Sequence, residues 1–379
     1  MAGGEDSDVV DEHSRAGRAE REVIRVCHRG LEVSPLRDAV LTSLRAVLTV
    51  DAAFVATADP ETLLFTAAYG EPPLDEATAG FLDNEFGGRD VNRFASLAIG
   101  RRHVGWLDDA TGNDRFASER YRDIMRPIGL GDELRAALVL DGRCWGYLCL
   151  HREDSRLGFT AAEAAAVARL GPHLAAGLRQ ALLLHPAPTT GGPAAPGVVL
   201  LADDLTVLAV TPEAQHLLSL VHGASSSRLP LPVAVYTVAT ALRALEHGTL
   251  DDGVQPTTRI PTAAGLWLTL HSSRLRAPLG QGPVAVVVEP APPQTTAPVL
   301  LSAYGLTGRE AEVARLVLRG LSTTAISNTL HISRSTVQDH LKTVFDKTGV
   351  RSRRDLVGHL LGRQGDLDGH GGTEGVSSR

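Results

Sequence analysis

Two short runs of proline, glycine and alanine decide what this chain can fold into. Between His185 and Gly197 the sequence reads HPAPTTGGPAAPG, and between Pro290 and Pro298 it reads PAPPQTTAP. Proline has no amide donor and clashes with the preceding helical turn, while glycine loses the most backbone entropy on ordering, so neither run favours a continuous helix or strand. Both are expected to be linkers, over 185–197 and 290–301, and 379 residues are in any case too many for one small domain. Three folded blocks are therefore expected, over 20–184, 198–289 and 302–362, between a disordered N-terminus (1–19) and a disordered tail (363–379).

The last block is the most legible. Thr307 and Glu310 have the spacing of a capping box, followed by a buried stripe of Val313, Leu316 and Val317, and Gly320 stops the helix. Ser322 caps a second, short helix with Ile326 and Leu330 facing inward, His331 and Ile332 make a tight turn, and Ser333 caps a third helix that ends before Gly349. On that third helix Val337, Leu341, Val344 and Phe345 share one face, while Ser335, Gln338, Asp339, Lys342 and Asp346 share the other. Ser352 and Asp355 open a fourth helix with Leu356, Val357, Leu360 and Leu361 as its apolar side. Short polar residues and one cation on a single helix face suit insertion into a DNA major groove.

This segment resembles the DNA-binding domain of LuxR-type (NarL-like) helix-turn-helix transcriptional regulators. The resemblance implies that Gln338, Asp339 and Lys342 face bases, that Thr324, Ser335, Thr336 and Arg353 grip the phosphate backbone, and that the partner is double-stranded DNA. It departs from the family at Thr324, where lysine is frequent, and at Ala325, where an acid is common. Fewer cations imply weaker phosphate contact per monomer and hence a homodimer, with RNA polymerase as a further candidate partner. Charge agrees: Leu306 to Leu361 holds nine Lys or Arg against five acids, a net +4, whereas the whole chain is −7 and the rest therefore −11.

The first block reads as α/β. A helical stripe (Leu36, Val40, Leu44, Val47) precedes extended stretches at Ala52–Ala58 and Leu63–Tyr69. Later Ala136–Leu140 and Trp145–His151 flank Asp141-Gly142, a hairpin signal, and Thr160 with Glu163 caps a long helix to Leu184. The stretch Leu138 to Leu148, with Gly158-Phe159-Thr160 beyond it, resembles a GAF sensory domain. That resemblance implies a small-molecule or redox-sensing cup, or a dimer platform without ligand; His103, His151 and His173 are the residues a haem would need. The terminal helix is expected either to close the domain's core or to pair with its copy in a dimer.

In the second block Val198 to Asp204 imitates the first strand and acid pair of a phosphorylation receiver, but 198–289 contains no lysine and no buried strand leads to Asp251 and Asp252. A strand at Leu205–Val210, a helix capped by Thr211-Pro212-Glu213, and strands at Leu266–His271 and Val284–Glu289 instead resemble an α+β PAS domain, with Asp203 and Asp204 as turn residues. The overall expectation is a multidomain protein of an α/β (α+β) GAF-like block, an α+β PAS-like block and an all-α four-helix reader.

No phosphate loop, H-E-x-x-H or G-x-S-x-G is present, so neither a catalytic set nor an ATPase module is expected. Cys27, Cys144 and Cys149 are scattered and read as reduced thiols; no metal site and no cofactor are predicted, and a small-molecule ligand of either sensory block is left unnamed. The polar N-terminus and the lack of a long uncharged apolar run point to a cytoplasmic protein without membrane contact. The expected function is a signal-responsive transcription factor; the alternative is a sensory scaffold whose terminal helices contact protein.

Overall fold

The computed structural model describes residues 17–184, 195–221, 229–250, 255–278 and 280–361. The expectations for 1–16, 185–194 and 362–379 fall outside those residues, as do Asp251 and Asp252. The chain divides into two compact units, one reaching Ala291 and one starting at Pro292.

The first unit opens with helix α1 (17–27), so residues 17–19 are helical rather than disordered. After α2 (Val33–Arg45) come β1 (Ala52–Ala58), β2 (Phe65–Gly70), α3 (Thr78–Gly87), α4 (Phe94–Ile99), β3 (Val104–Trp106), α5 (Leu107–Ala110), β4 (Leu130–Leu140), β5 (Arg143–Glu153) and α6 (Ala161–Leu183). The five strands form an antiparallel sheet in the order β2-β1-β5-β4-β3. The turn residues Asp141 (φ 53°) and Gly142 (φ 72°) give the β4–β5 hairpin the left-handed pair that a two-residue connection requires. Successive side chains leave opposite faces of a strand: Tyr147 stacks on Phe94 of α4, with ring centroids 4.6 Å apart, whereas a side chain at Gly146 would collide with Leu178 of α6. Thr160 and Glu163 form the expected capping box, and α6 buries Val167, Leu170, Leu174 and Leu178. It packs on β3, β4 and β5, the core-closing role.

β4 is longer than its sequence suggests. Its first half carries Asp132, Glu133 and Arg135, all under 5% exposed. Each charge has a partner: Arg120 Nε donates to Glu133 at 2.7 Å, Arg135 to Glu85 at 2.8 Å, and the Phe159 amide to Asp132 at 2.6 Å.

A second antiparallel sheet belongs to the same unit. Its strands are β6 (Gly197–Leu201), β7 (Val207–Val210), β8 (Thr257–Pro261), β9 (Trp267–Ala277) and β10 (Gly280–Pro290), in the order β7-β6-β10-β9-β8. Counted within each sheet, both follow the order 2-1-5-4-3. An all-antiparallel sheet is incompatible with a receiver, and the acid pair sits in the β6–β7 turn: Asp204 accepts the Thr206 amide at 2.9 Å and Asp203 pairs with Arg274 at 2.6 Å. Helix α7 (Pro212–Ser219) is capped by Thr211 as expected.

Helix α8 (Val233–Glu246) joins the two sheets. It buries ten residues, because α3 and β2 cover one side of it and β8, β9 and β10 another. Beside it Asp59, at the end of β1, is clamped by Arg259 of β8: Nε reaches one carboxylate oxygen at 2.8 Å and an outer guanidinium nitrogen the other at 2.7 Å. Arg243 of α8 pairs with Asp83 of α3 at 2.9 Å.

The second unit is all helix: α9 (Pro293–Ala303), α10 (Gly308–Leu318), α11 (Thr323–Leu330), α12 (Arg334–Thr348) and α13 (Arg353–Leu361). α9 corrects the linker expected over 290–301. Pro293 occupies the helix's first position, where an amide has no partner to lose, and Pro298 removes only one hydrogen bond further in. Leu301 of α9 is fully buried in one core with Val313, Ile326, Val337, Val344 and Leu356.

Candidate functional sites

In the second unit α10, α11 and α12 each begin with a side-chain cap. Thr307 and Glu310 form the capping box of α10, and Glu310 doubles as a tertiary contact, accepting from Lys347 Nζ at 2.7 Å. Burial pushes the Glu310 carboxyl up, but the Lys347 ammonium and the Thr307 amide outweigh it and hold the group below the usual glutamate range. The turn between α11 and α12 puts His331 in the left-handed region (φ 53°), and the Ile332 amide closes on the Ser327 carbonyl at 3.1 Å. Ser333 then caps α12 by accepting the Thr336 amide at 3.0 Å, and Gly349 (φ 70°) ends it.

α12 buries Val337, Leu341, Val344 and Thr348 and exposes Ser335, Gln338, Asp339 and Lys342 in one stripe. Thr324 is exposed on α11, and Thr336 is half-buried with its hydroxyl 2.8 Å from that of Ser333. Arg353 is placed differently: its outer nitrogens donate to the Leu321 carbonyl and the Thr323 hydroxyl, both at 2.9 Å. That guanidinium fastens α13 to the start of α11. Thr323 also accepts from Gln338 Nε2 at 3.4 Å. Thr323, which the sequence reading passed over, turns toward α12 because of the helix crossing, while Thr324 beside it stays exposed. Two short helices across a tight turn, the second with a capped, polar, outward face, define a helix-turn-helix DNA reader.

The first unit holds a cavity of about 40 Å³. Its floor is a square of four side chains, Glu133 and Arg135 on β4 facing His151 and Cys149 on β5. Phe54, Phe65, Phe81 and Phe94 line it, and Val233 of α8 contributes from the second sheet's side. Burial pulls the His151 imidazole down to about 4, so it is neutral. His103 bonds the Leu97 carbonyl and His173 bonds His28, so the three histidines considered for a haem each have separate surroundings. The three cysteines are buried and free.

A model of bacterial regulatory proteins of the luxR family matches residues 305–360, and a model of the GAF domain matches residues 33–178. Spore germination protein GerE of Bacillus subtilis (strain 168) is 40% identical over 63 residues, which span 17% of this chain and 84% of GerE. Among solved structures, Escherichia coli SdiA aligns over 90% of this chain and 95% of its own at 13% identity and a TM-score of 0.31. The GAF domain from Acinetobacter phosphoenolpyruvate-protein phosphotransferase aligns over 44% of this chain and 94% of its own at 16% identity and a TM-score of 0.31.

The chain belongs to the luxR family of bacterial regulatory proteins and carries an N-terminal GAF domain ahead of its helix-turn-helix. Among the described residues no helix is long and apolar enough to cross a membrane.

Proposed function

We propose that this regulator binds double-stranded DNA sequence-specifically as a cytoplasmic homodimer, in response to a signal taken up by its GAF domain, and has no catalytic role of its own. The exposed stripe on α12 carries the reading: Gln338, Asp339 and Lys342 stand at helical spacing on a face whose reverse is locked into the core by Val337, Leu341 and Val344. Gln338 suits adenine, Lys342 guanine, and Asp339 a cytosine amino group. Ser335, Thr336 and Thr324 then supply phosphate contacts that set register, and Arg353 supports the reader by fixing α11 as well as lying near the backbone. The second block, 198–289, is assigned a PAS-like role; its strand, tight turn, strand, helices and three strands support that reading. RNA polymerase contact belongs to the same proposal.

Footprinting the purified full-length protein on sheared genomic DNA of its source tests this. Protected sites sharing a two-fold related sequence are expected. Absence of protection on every fragment would favour the scaffold role, in which the terminal helices bind protein.

A further inference from the structure

We infer that Glu133, Cys149 and His151 form a binding site for one divalent d-block metal ion, of which zinc is the representative, at the floor of the GAF-domain cavity. The three donors come together because the sheet register demands it. Cys149 and His151 are two apart on β5 and so leave the same face, and Glu133 is the direct cross-strand partner of His151 on β4. Cys149 Sγ lies 3.1 Å from His151 Nε2 and 3.5 Å from a Glu133 carboxylate oxygen, and all three ligand atoms fall within 4.8 Å of one another. Zinc bonds of about 2.0 Å to nitrogen or oxygen and about 2.3 Å to sulfur put the tetrahedral ligand atoms of such a set roughly 3.3–3.5 Å apart, so small adjustments suffice.

The surroundings suit an ion better than a finished apolar core. Arg120 occupies only Oε1 of Glu133, leaving Oε2, the oxygen nearest the sulfur, to act as ligand while the guanidinium fixes the carboxylate's orientation. His151 Nδ1 and Arg135 Nε are both buried without a hydrogen-bond partner, and both residues line the cavity. With Nε2 as the ligand atom both are N–H donors, which call for an acceptor rather than a cation and so mark the cavity as polar enough to hold a water beside the ion. The buried carboxylates Glu85, Asp90 and Glu133 outnumber the guanidiniums Arg120 and Arg135 by one. Binding displaces the Cys149 thiol proton to solvent, and the resulting thiolate together with the surplus carboxylate balances a dication. Three protein ligands leave a fourth position, and the adjoining cavity has room for a water or similarly small exchangeable ligand there. A mixed sulfur, nitrogen and oxygen set selects zinc, cobalt or nickel over magnesium or calcium.

The test is cobalt titration of the chelator-treated full-length protein, followed by zinc. One Co²⁺ per chain is expected, with a thiolate-to-cobalt charge-transfer band that one equivalent of Zn²⁺ abolishes. Cys149→Ser should lose the band and His151→Ala should weaken uptake at least tenfold, while Cys27→Ser keeps both. If Cys149→Ser does not fold, the wild-type protein still decides: Zn²⁺ should slow alkylation of Cys149 but not of Cys27. No charge-transfer band in the wild type, a band undiminished in Cys149→Ser, or equal alkylation of Cys149 with and without Zn²⁺ overturns the inference. DNA binding measured in parallel separates this outcome from failure of the reader, since the metal site neither requires nor is required by base recognition.

Discussion

Replacing Arg259 by methionine should destabilise the first unit by about 3 kcal/mol. The side chain of Asp59 is fully buried, and Arg259 supplies both of its short charge-assisted contacts, at 2.8 and 2.7 Å. Removing one member of a buried pair strands the other, at a typical cost of about 3–5 kcal/mol. Here the carboxylate keeps two backbone amides, those of Glu61 at 3.0 Å and of residue 259 at 3.2 Å, which places the expected loss at the low end. Adding Asp59→Asn to Arg259→Met removes the stranded charge while retaining an acceptor, and should restore about 1.5–2 kcal/mol. Urea unfolding of the wild type, both single variants and the double variant gives the coupling directly. A double variant no more stable than Arg259→Met would refute the reasoning, because it would mean that Asp59 is not an uncompensated charge once the guanidinium is gone.

Two further outcomes concern the reader. Gly349→Ala meets no atom within 4 Å, so its whole effect is the left-handed backbone at φ 70°; a loss of about 1–2 kcal/mol is expected in denaturant unfolding, and an unchanged midpoint would exclude that conformation. Glu310, held below its ordinary value of 4.5, contributes stability that is fully present above that value and is lost as pH falls through the lower folded one. Acid unfolding of the second unit should therefore be shallower in Glu310→Gln than in wild type across that window; identical pH profiles would remove Glu310 from the account.

The legible parts of the sequence were those in which local chemistry and burial agree. α12 could be read from Ser333, Gly349 and the Val337, Leu341, Val344 stripe because one side of it faces water. α8 hid for the opposite reason: covered from two sides, it is buried without interruption from Val233 to Ala241, and Pro230 and Pro232 precede it. The first half of β4 was obscured by Asp132, Glu133 and Arg135, charges that ordinarily mark surface and here are paired inside. Proline misled over 290–301, where Pro293 starts a helix instead of preventing one. The cluster of Glu133, Cys149 and His151 was beyond reach for a different reason, since two of its members lie two residues apart on one strand but the third depends on the register of the hairpin.

Base reading by α12 is the central claim, and gel shifts with Lys342→Ala test it most directly. On a footprinted duplex the variant should bind roughly 5- to 150-fold more weakly, the range for losing a guanine contact, with a much smaller loss on a scrambled duplex of the same length and salt. Equal losses on the two duplexes, accompanied by a salt slope reduced by about 0.9, would make Lys342 a phosphate contact and contradict base reading at that position.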